Sequence, residues 1–212
     1  MTTTIILVRH GQTAWNVAQV FRGQIDIELD ETGLKQAELL GEYLSQCKLD
    51  AVFSSPLKRA VQTAEAIVRH HGLAVEIAPG LNDIDFGEWQ GLSFQEVRTR
   101  FNELFATWVS DPHRVRMPSG ESLDDVHQRA LAVVNQVVDK HEGKVVVLVS
   151  HRVVNKVLIC ALLGLDNSHF WDIRLDTCGM TTFELDDGRS VLVEHNNTSF
   201  LDSLQQERLG DF

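Results

Sequence analysis

The run Ile5-Ile6-Leu7-Val8-Arg9-His10-Gly11 limits the possible folds of this chain more than any other stretch, because apolar residues lead straight into a cation, an imidazole and a glycine. A short apolar, β-branched run closed by glycine predicts a strand buried on both faces, of the kind found at the centre of a parallel sheet. Arg9 and His10 then stand at its carboxyl end. Open α/β sheets bind ligands at that edge, because the loops leaving the strand tips line the crevice there. An isolated Arg-His-Gly is also what an ordinary polar strand end with a turn glycine looks like, so a site needs further parts from elsewhere. One comes from Lys144 to Ser150, whose Val-Val-Val-Leu-Val core predicts a second buried strand leading into Ser150-His151-Arg152. A second histidine thus sits at a second strand tip.

The intervening chain alternates. Thr13 is a helix cap with Asn16 one short turn on, and the stretch 21–31, with Arg22 and Gly23, reads as a loop. Leu34, Ala37, Leu40, Tyr43 and Leu44 recur at helical spacing up to about Cys47, and Ala51-Val52-Phe53 is a strand. Ser54-Ser55-Pro56 predicts a helix start, with Ser as cap and Pro at the first helical position, so Arg59 falls in the first turn. There the unpaired N–H groups and the positive end of the helix dipole join the arginine in favouring a phosphate-like anion. Leu73 to Ile77 is the third strand. Residues 81–89 read as a loop crowded with carboxylates, including Asp83, Asp85 and Glu88. Ser93-x-x-Glu96 then opens one helix with Phe94, Val97, Phe101, Leu104, Phe105 and Trp108 along a single stripe, and Ser122-x-x-Asp125 opens another. A helix after His151 stops at Gly164, and Asp-Asp-Gly-Arg between two apolar runs predicts a hairpin adding antiparallel strands at one edge. The tail from Ser203 is polar. These elements predict an α/β three-layer sandwich: a mostly parallel sheet, helices on both faces, and a helical insertion at about 84–122 lying as a lid over the carboxyl edge. Residues 1–212 are expected to form one domain.

Composition narrows the partners. Lys and Arg number 19 against 30 Asp and Glu, and the formal charge of -11 argues against general nucleic-acid or membrane-surface binding. A bound anion must therefore meet a local cluster of cations. Cys47, Cys160 and Cys178 are far apart and read as reduced thiols. Met1 is followed by three threonines and the strand, with no signal-peptide pattern and no apolar run of membrane-spanning length, so a cytoplasmic location is expected. The histidines other than His10 and His151 lack partners at metal-ligand spacing; neither a metal nor another cofactor is expected.

Five ordered blocks carry a resemblance: Leu-Val-Arg-His-Gly-Gln-Thr-x-x-Asn (7–16), Ser-Ser-Pro-Leu-x-Arg-Ala-x-Gln-Thr-Ala (54–64), Leu-x-x-x-Asp-Phe-Gly-x-Trp-x-Gly (81–91), Gly-Glu-Ser (120–122) and Val-Ser-His (149–151). Together they resemble the histidine phosphatase superfamily, its phosphoglycerate-mutase-like group, from Leu7 to about Leu201. The resemblance implies hydrolysis of a small phosphomonoester through a phosphohistidine, without a metal. His10 is then the nucleophile, Arg9, Arg59 and His151 cage the phosphoryl group, and Asn16 joins them. Imidazole suits the first role because one nitrogen can attack while the other N–H is held, and arginine suits the second because its forked donors match phosphate oxygens. The general acid falls at Asp83, where the family usually has glutamate, so Asp85 and Glu88 stay open as substitutes. Arg152 stands where a small residue is usual and adds a cation at the pocket mouth. Substrate contacts are thus expected from Arg9, Gly11, Asn16, Arg22, Gly23, Arg59 and Arg152, with Arg114, Arg116 and Arg174 as further candidates at the mouth. Asp111-Pro-His-Arg, Ala161-Leu-Leu-Gly and Phe170-Trp171 look similar to metal-independent phosphoserine phosphatases of this superfamily. α-Ribazole phosphate, sugar phosphates and phosphoglycerate are competing substrates. Two other functions remain open: a cofactor-dependent phosphoglycerate mutase, and a phosphate-ligand binding or regulatory protein without turnover. A homodimer is left open as the assembly.

Overall fold

Strand β1 (Thr3–Arg9) lies inside the sheet, and the computed structural model, which describes residues 1–204, shows why its sequence is apolar at every central position. Ile5 and Leu7 point into one buried cluster while Ile6 and Val8 point into another, so the period of two along the strand feeds two cores. The chain continues through a short helix α1 (Ala14–Val17), α2 (Glu31–Leu44), β2 (Ala51–Ser54), α3 (Lys58–Val68) and β3 (Val75–Ile77). It then runs through α4 (Phe94–Arg100), α5 (Asn102–Ser110), α6 (Leu123–Lys140), β4 (Val145–Ser150), α7 (Arg152–Leu162), β5 (Met180–Asp186) and β6 (Arg189–Asn197). The sheet has six strands in the order β3-β2-β4-β1-β5-β6. β3, β2, β4 and β1 run parallel, and β5 and β6 are antiparallel additions at one edge.

Both faces are covered, which makes the sheet the middle of three layers. Leu40 and Leu44 of α2 and Ala60, Ala64 and Ile67 of α3 pack on Val52, Val147 and Val149 from one side. Val126, Ala130 and Val134 of α6 and Val154, Val157 and Leu158 of α7 pack on Ile5, Val146 and Leu148 from the other. The hairpin turn is the one Asp-Gly favours, since Asp187 and Gly188 have φ of 51° and 79°. Both capping boxes form: Ser93 Oγ accepts from Glu96 N (3.3 Å) and Ser122 Oγ from Asp125 N (3.3 Å). Among the described residues no helix is long and apolar enough to cross a membrane.

Three expectations change. The stripe Phe94 to Trp108 is two helices rather than one, because Phe101 leaves the helical basin at φ -126° and ψ 40°. Phe101 at the bend and Phe105 and Trp108 beyond it are all ringed against buried Trp89. Helix α3 starts at Lys58 with Leu57 as its cap residue, so Pro56 lies ahead of the helix and Ser55 Oγ accepts from Leu57 N–H (3.4 Å) rather than from a helical residue. The third strand is shorter than read, starting at Val75. The polar tail expected from Ser203 lies, from residue 205 on, outside the described residues.

Candidate active site

Register brings the two histidines together. β1 and β4 pair in parallel with Arg9 opposite Ser150, so the residues that follow, His10 and His151, leave adjacent tips side by side. His10 N–H donates to the Ser150 carbonyl (3.0 Å), and the two imidazole rings stand 5.2 Å apart between centroids. β2 neighbours β4 and delivers a third tip, with Ser55 N–H on the Val149 carbonyl (3.0 Å). Ser150 Oγ donates to the Leu81 carbonyl (2.7 Å), which ties the carboxylate-rich loop over the same edge.

Both imidazoles are buried, at 1% and 0% exposure for His10 and His151. Burial pushes the pKa of His10 well below its ordinary value, and the Arg59, Arg22 and Arg9 guanidiniums push it the same way. His151 is lowered by the same causes, burial first and then Arg59. The hydrogen bonds fix where each neutral ring keeps its proton. His10 Nδ1 lies 2.6 Å from the Gly11 carbonyl, which only accepts, so Nδ1 carries the hydrogen and Nε2 the lone pair. His151 Nδ1 accepts from Arg59 Nε (3.3 Å), so its Nε2–H donates to Ser55 Oγ (2.7 Å).

Arg59 is wholly buried, and each end of its fork is used. Nη1 donates to the Ile25 carbonyl (2.9 Å), and Nη2 to the Gly23 carbonyl (2.7 Å) and Asp83 Oδ2 (3.0 Å). Asp83, 5% exposed, accepts with its other oxygen from Ile84 N–H (2.9 Å) and lies 3.6 Å from His151 Nδ1. Of the carboxylates the sequence offered in this loop, Asp83 is the one beside the histidines. Asp85 Oδ1 is taken by Gly87 N–H (2.8 Å), and Glu88 is exposed.

Arg9 is buried, with Nη1 donating to the Leu175 carbonyl. Arg22 shares its surroundings with Arg9, Arg152 and Arg59; burial first, and then those three like charges, push its pKa well below the usual arginine value. Arg22, Gly23, Asp83, Phe86, Phe94 and Arg152 line a small recess. It adjoins the histidine tips through Gly23 and Asp83, both bonded to Arg59. Asn16 is buried in α1 with its Oδ1 accepting from Thr13 N–H and Oγ (2.9 Å each), so its amide N–H groups are what it offers a ligand. Gly11 serves packing: a Cβ there would stand 2.6 Å from the Gly33 carbonyl oxygen of α2. A roomier groove at the other end of the sheet is lined by Asp139, Glu142, Asp186 and Asp187 and would repel a phosphate.

Three arginines considered for the mouth do not join the recess. Arg116 is exposed and paired with Asp125 (2.8 Å), Arg174 with Asp176 (3.1 Å), and Arg114 is on the surface. Phe170 and Trp171 pack on Trp108 and on buried Lys156. Sequence reading missed Ser55 as partner of His151, having spent it as a helix cap. It also missed Thr63, whose Oγ donates to the Arg59 carbonyl (2.8 Å) and accepts from Gly11 N–H (3.1 Å). The spacing held the signal: Thr63 follows Arg59 by four residues and so lies on the same helical face.

The comparisons with known proteins agree with this arrangement. The model of the histidine phosphatase superfamily (branch 1) matches residues 5–198. Phosphoserine phosphatase 1 of Hydrogenobacter thermophilus is 38% identical over 197 residues, 93% of each chain. Bacillus stearothermophilus YhfR superposes with a TM-score of 0.91 at 33% identity, covering 94% of this chain and all of that one (100%). A mutant phosphoserine phosphatase of Entamoeba histolytica in complex with phosphoserine gives 0.81 at 29% identity, covering 94% of this chain and 99% of its own. Twin histidines on registered strand tips, the arginines around them and a match that spans nearly the whole sheet lead to one family: the chain belongs to the histidine phosphatase superfamily.

Proposed function

We propose that this chain hydrolyses a small phosphomonoester through a phosphohistidine on His10, and that the substrate is a phosphorylated hydroxy or amino acid, phosphoserine first. The observation that carries the reading is the Gly11 carbonyl 2.6 Å from His10 Nδ1, which leaves the Nε2 lone pair for phosphorus in a ring that burial and arginines keep neutral. Nε2 attacks, the bond from phosphorus to the ester oxygen breaks, and Asp83 gives its proton to that oxygen. Asp83 then takes a proton from water, whose oxygen attacks phosphorus; the bond to Nε2 breaks and phosphate leaves. Arg9, Arg59 and His151 meet the negative charge that spreads over the phosphoryl oxygens, a contribution on the order of 10²-fold or more per well-placed donor. A phosphate oxygen takes over the His151 N–H that otherwise donates to Ser55 Oγ. The guanidiniums supply the positive charge that magnesium supplies in other phosphoryl-transfer sites, so the reaction as read here needs no metal.

Charge supports the substrate class. Arg22 and Arg152 line the recess beside Asp83, and Arg9 and Arg59 stand close to Arg22. A carboxylate on the leaving group stands against Arg22 and Arg152 there. The phosphoserine phosphatases among the relatives support the same substrate. A panel comparing phosphoserine, phosphoethanolamine and p-nitrophenyl phosphate by kcat/KM, with and without EDTA, tests this. Phosphoserine should lead phosphoethanolamine by roughly 10-fold or more, as a desolvated charge pair requires, and EDTA should change nothing. Equal rates for those two substrates would remove the carboxylate reading. Transfer between phosphoglycerates with little hydrolysis would make the chain an isomerase instead.

A further inference from the structure

We propose that Glu121 and Arg129 are positioning residues that clamp the backbone on both sides of Asp83 and so aim its carboxyl group at the leaving oxygen. The proposal rests on the reading of Asp83 as general acid. Arg129 lies on α6, and Glu121 immediately precedes the Ser122 cap of the same helix. The two side chains form a fork, with Arg129 Nε on Glu121 Oε1 (2.8 Å) and Nη2 on Oε2 (2.9 Å). The remaining reach of the guanidinium goes to three carbonyls of the acid loop: Nη1 to Gly80 (2.9 Å) and Asn82 (2.6 Å), and Nη2 to Asp83 itself (3.0 Å). From the other side Glu121 Oε2 accepts from Asp85 N–H (2.9 Å), and Glu121 N–H donates to the Asp85 carbonyl (2.9 Å). The close approach needs Gly120, since a Cβ there would stand 2.3 Å from the Asp85 carbonyl oxygen.

An isolated ion pair, even one as far buried as this, would explain little. Here both terminal nitrogens of Arg129 reach the segment that carries one carboxyl group, and Nε ties the guanidinium to Glu121. Aspartate also has one torsion fewer than glutamate with which to correct a misplaced backbone, so its reach is set by where the loop is held. Displacements near 1 Å cost about 10²-fold in positioned catalysis. The clamp therefore acts through Asp83 and should matter only when the leaving oxygen needs a proton.

The test is the ratio of kcat for phosphoserine to kcat for p-nitrophenyl phosphate, whose leaving group needs little protonation, in the full chain. Arg129→Lys keeps the positive charge but loses the fork, and Glu121→Gln keeps the shape but loses the charge. Each should lower the ratio by roughly 10-fold with KM nearly unchanged, in the direction of Asp83→Asn, and neither should lower it further in the Asp83→Asn background. Arg129→Met should behave like Arg129→Lys if it folds; if it does not, Lys and Gln decide the matter alone. A ratio unchanged in Arg129→Lys and Glu121→Gln, or a loss shared equally by both substrates, would overturn the clamp. Should Asp83→Asn itself leave the ratio untouched, the reading of the acid fails instead, and the two failures are thereby told apart.

Discussion

The Asp83 carboxylate accepts from two donors, Arg59 Nη2 and Ile84 N–H. An arriving phosphate competes for Arg59, and the proposed acid step needs a proton on the Asp83 carboxyl. Asp83→Asn keeps the shape and removes that proton. It should cost on the order of 10²-fold or more on phosphoserine and much less on p-nitrophenyl phosphate; equal losses on both would make Asp83 a binding group only. Arg59 answers a different question, because its fork serves His151, Gly23, Ile25 and Asp83 at once. Arg59→Met leaves the buried Asp83 carboxylate without its partner and should lower stability by about 3–5 kcal/mol in urea unfolding. Arg59→Lys should restore much of that stability but little of kcat, since one ammonium cannot replace a fork. Full activity in the lysine variant would contradict the part assigned to the guanidinium.

At the scale of elements, the paired strand tips are what the sequence made most legible. Ile5 to Val8 and Val145 to Val149 announce buried strands, and each runs into histidine. That the two are neighbours in register was not written in either; it follows from pairing, which places Arg9 against Ser150. The periodicity of Phe94 to Trp108 identified the inward face correctly and missed the break at Phe101, because period reports which residues face the core and not whether the axis is continuous. Ser55-Pro56 misled for a related reason: its local chemistry permits a helix start, but the His151 imidazole claims the hydroxyl. Arg114, Arg116 and Arg174 are indistinguishable in sequence from Arg22 and Arg152, and only packing separates them. The turn holding the acid loop is open to a direct check. Gly87 (φ +53°) and Gly188 (φ +79°) share a backbone region hostile to side chains, yet a Cβ at Gly87 would lie 1.9 Å from the Pro118 carbonyl oxygen while Gly188 faces open space. Gly188→Ala should cost about 1–3 kcal/mol from backbone strain alone, and Gly87→Ala visibly more in the same urea series. Equal costs would mean that the loop yields where the contacts say it is tight.

For the whole molecule, the buried cationic and imidazole cluster links folding to pH and to ligand. Both histidines have native pKa values well below the ordinary one, so between those values and an unfolded value near 6.5 the unfolded chain binds more protons. Stability should therefore be fully present above about 6.5 and fall as pH drops from there toward 5. His10→Asn with His151→Asn should flatten that fall, and inorganic phosphate should bind the folded chain and raise its melting temperature across the range. A melting temperature as steep in the double variant as in the parent would place the acid sensitivity elsewhere. The same cluster fits the nucleophile proposed for it: a ring kept neutral, with Nδ1–H on Gly11 and the lone pair on Nε2. Rapid acid-free quenching of a reaction with radiolabelled phosphoserine, followed by mass mapping of the labelled peptide, tests this most directly. A transient, acid-labile phosphoryl group should appear on His10, be absent in His10→Ala and still form in His151→Ala at a reduced rate; label on His151, or turnover in His10→Ala at the parent rate, would contradict a nucleophilic His10.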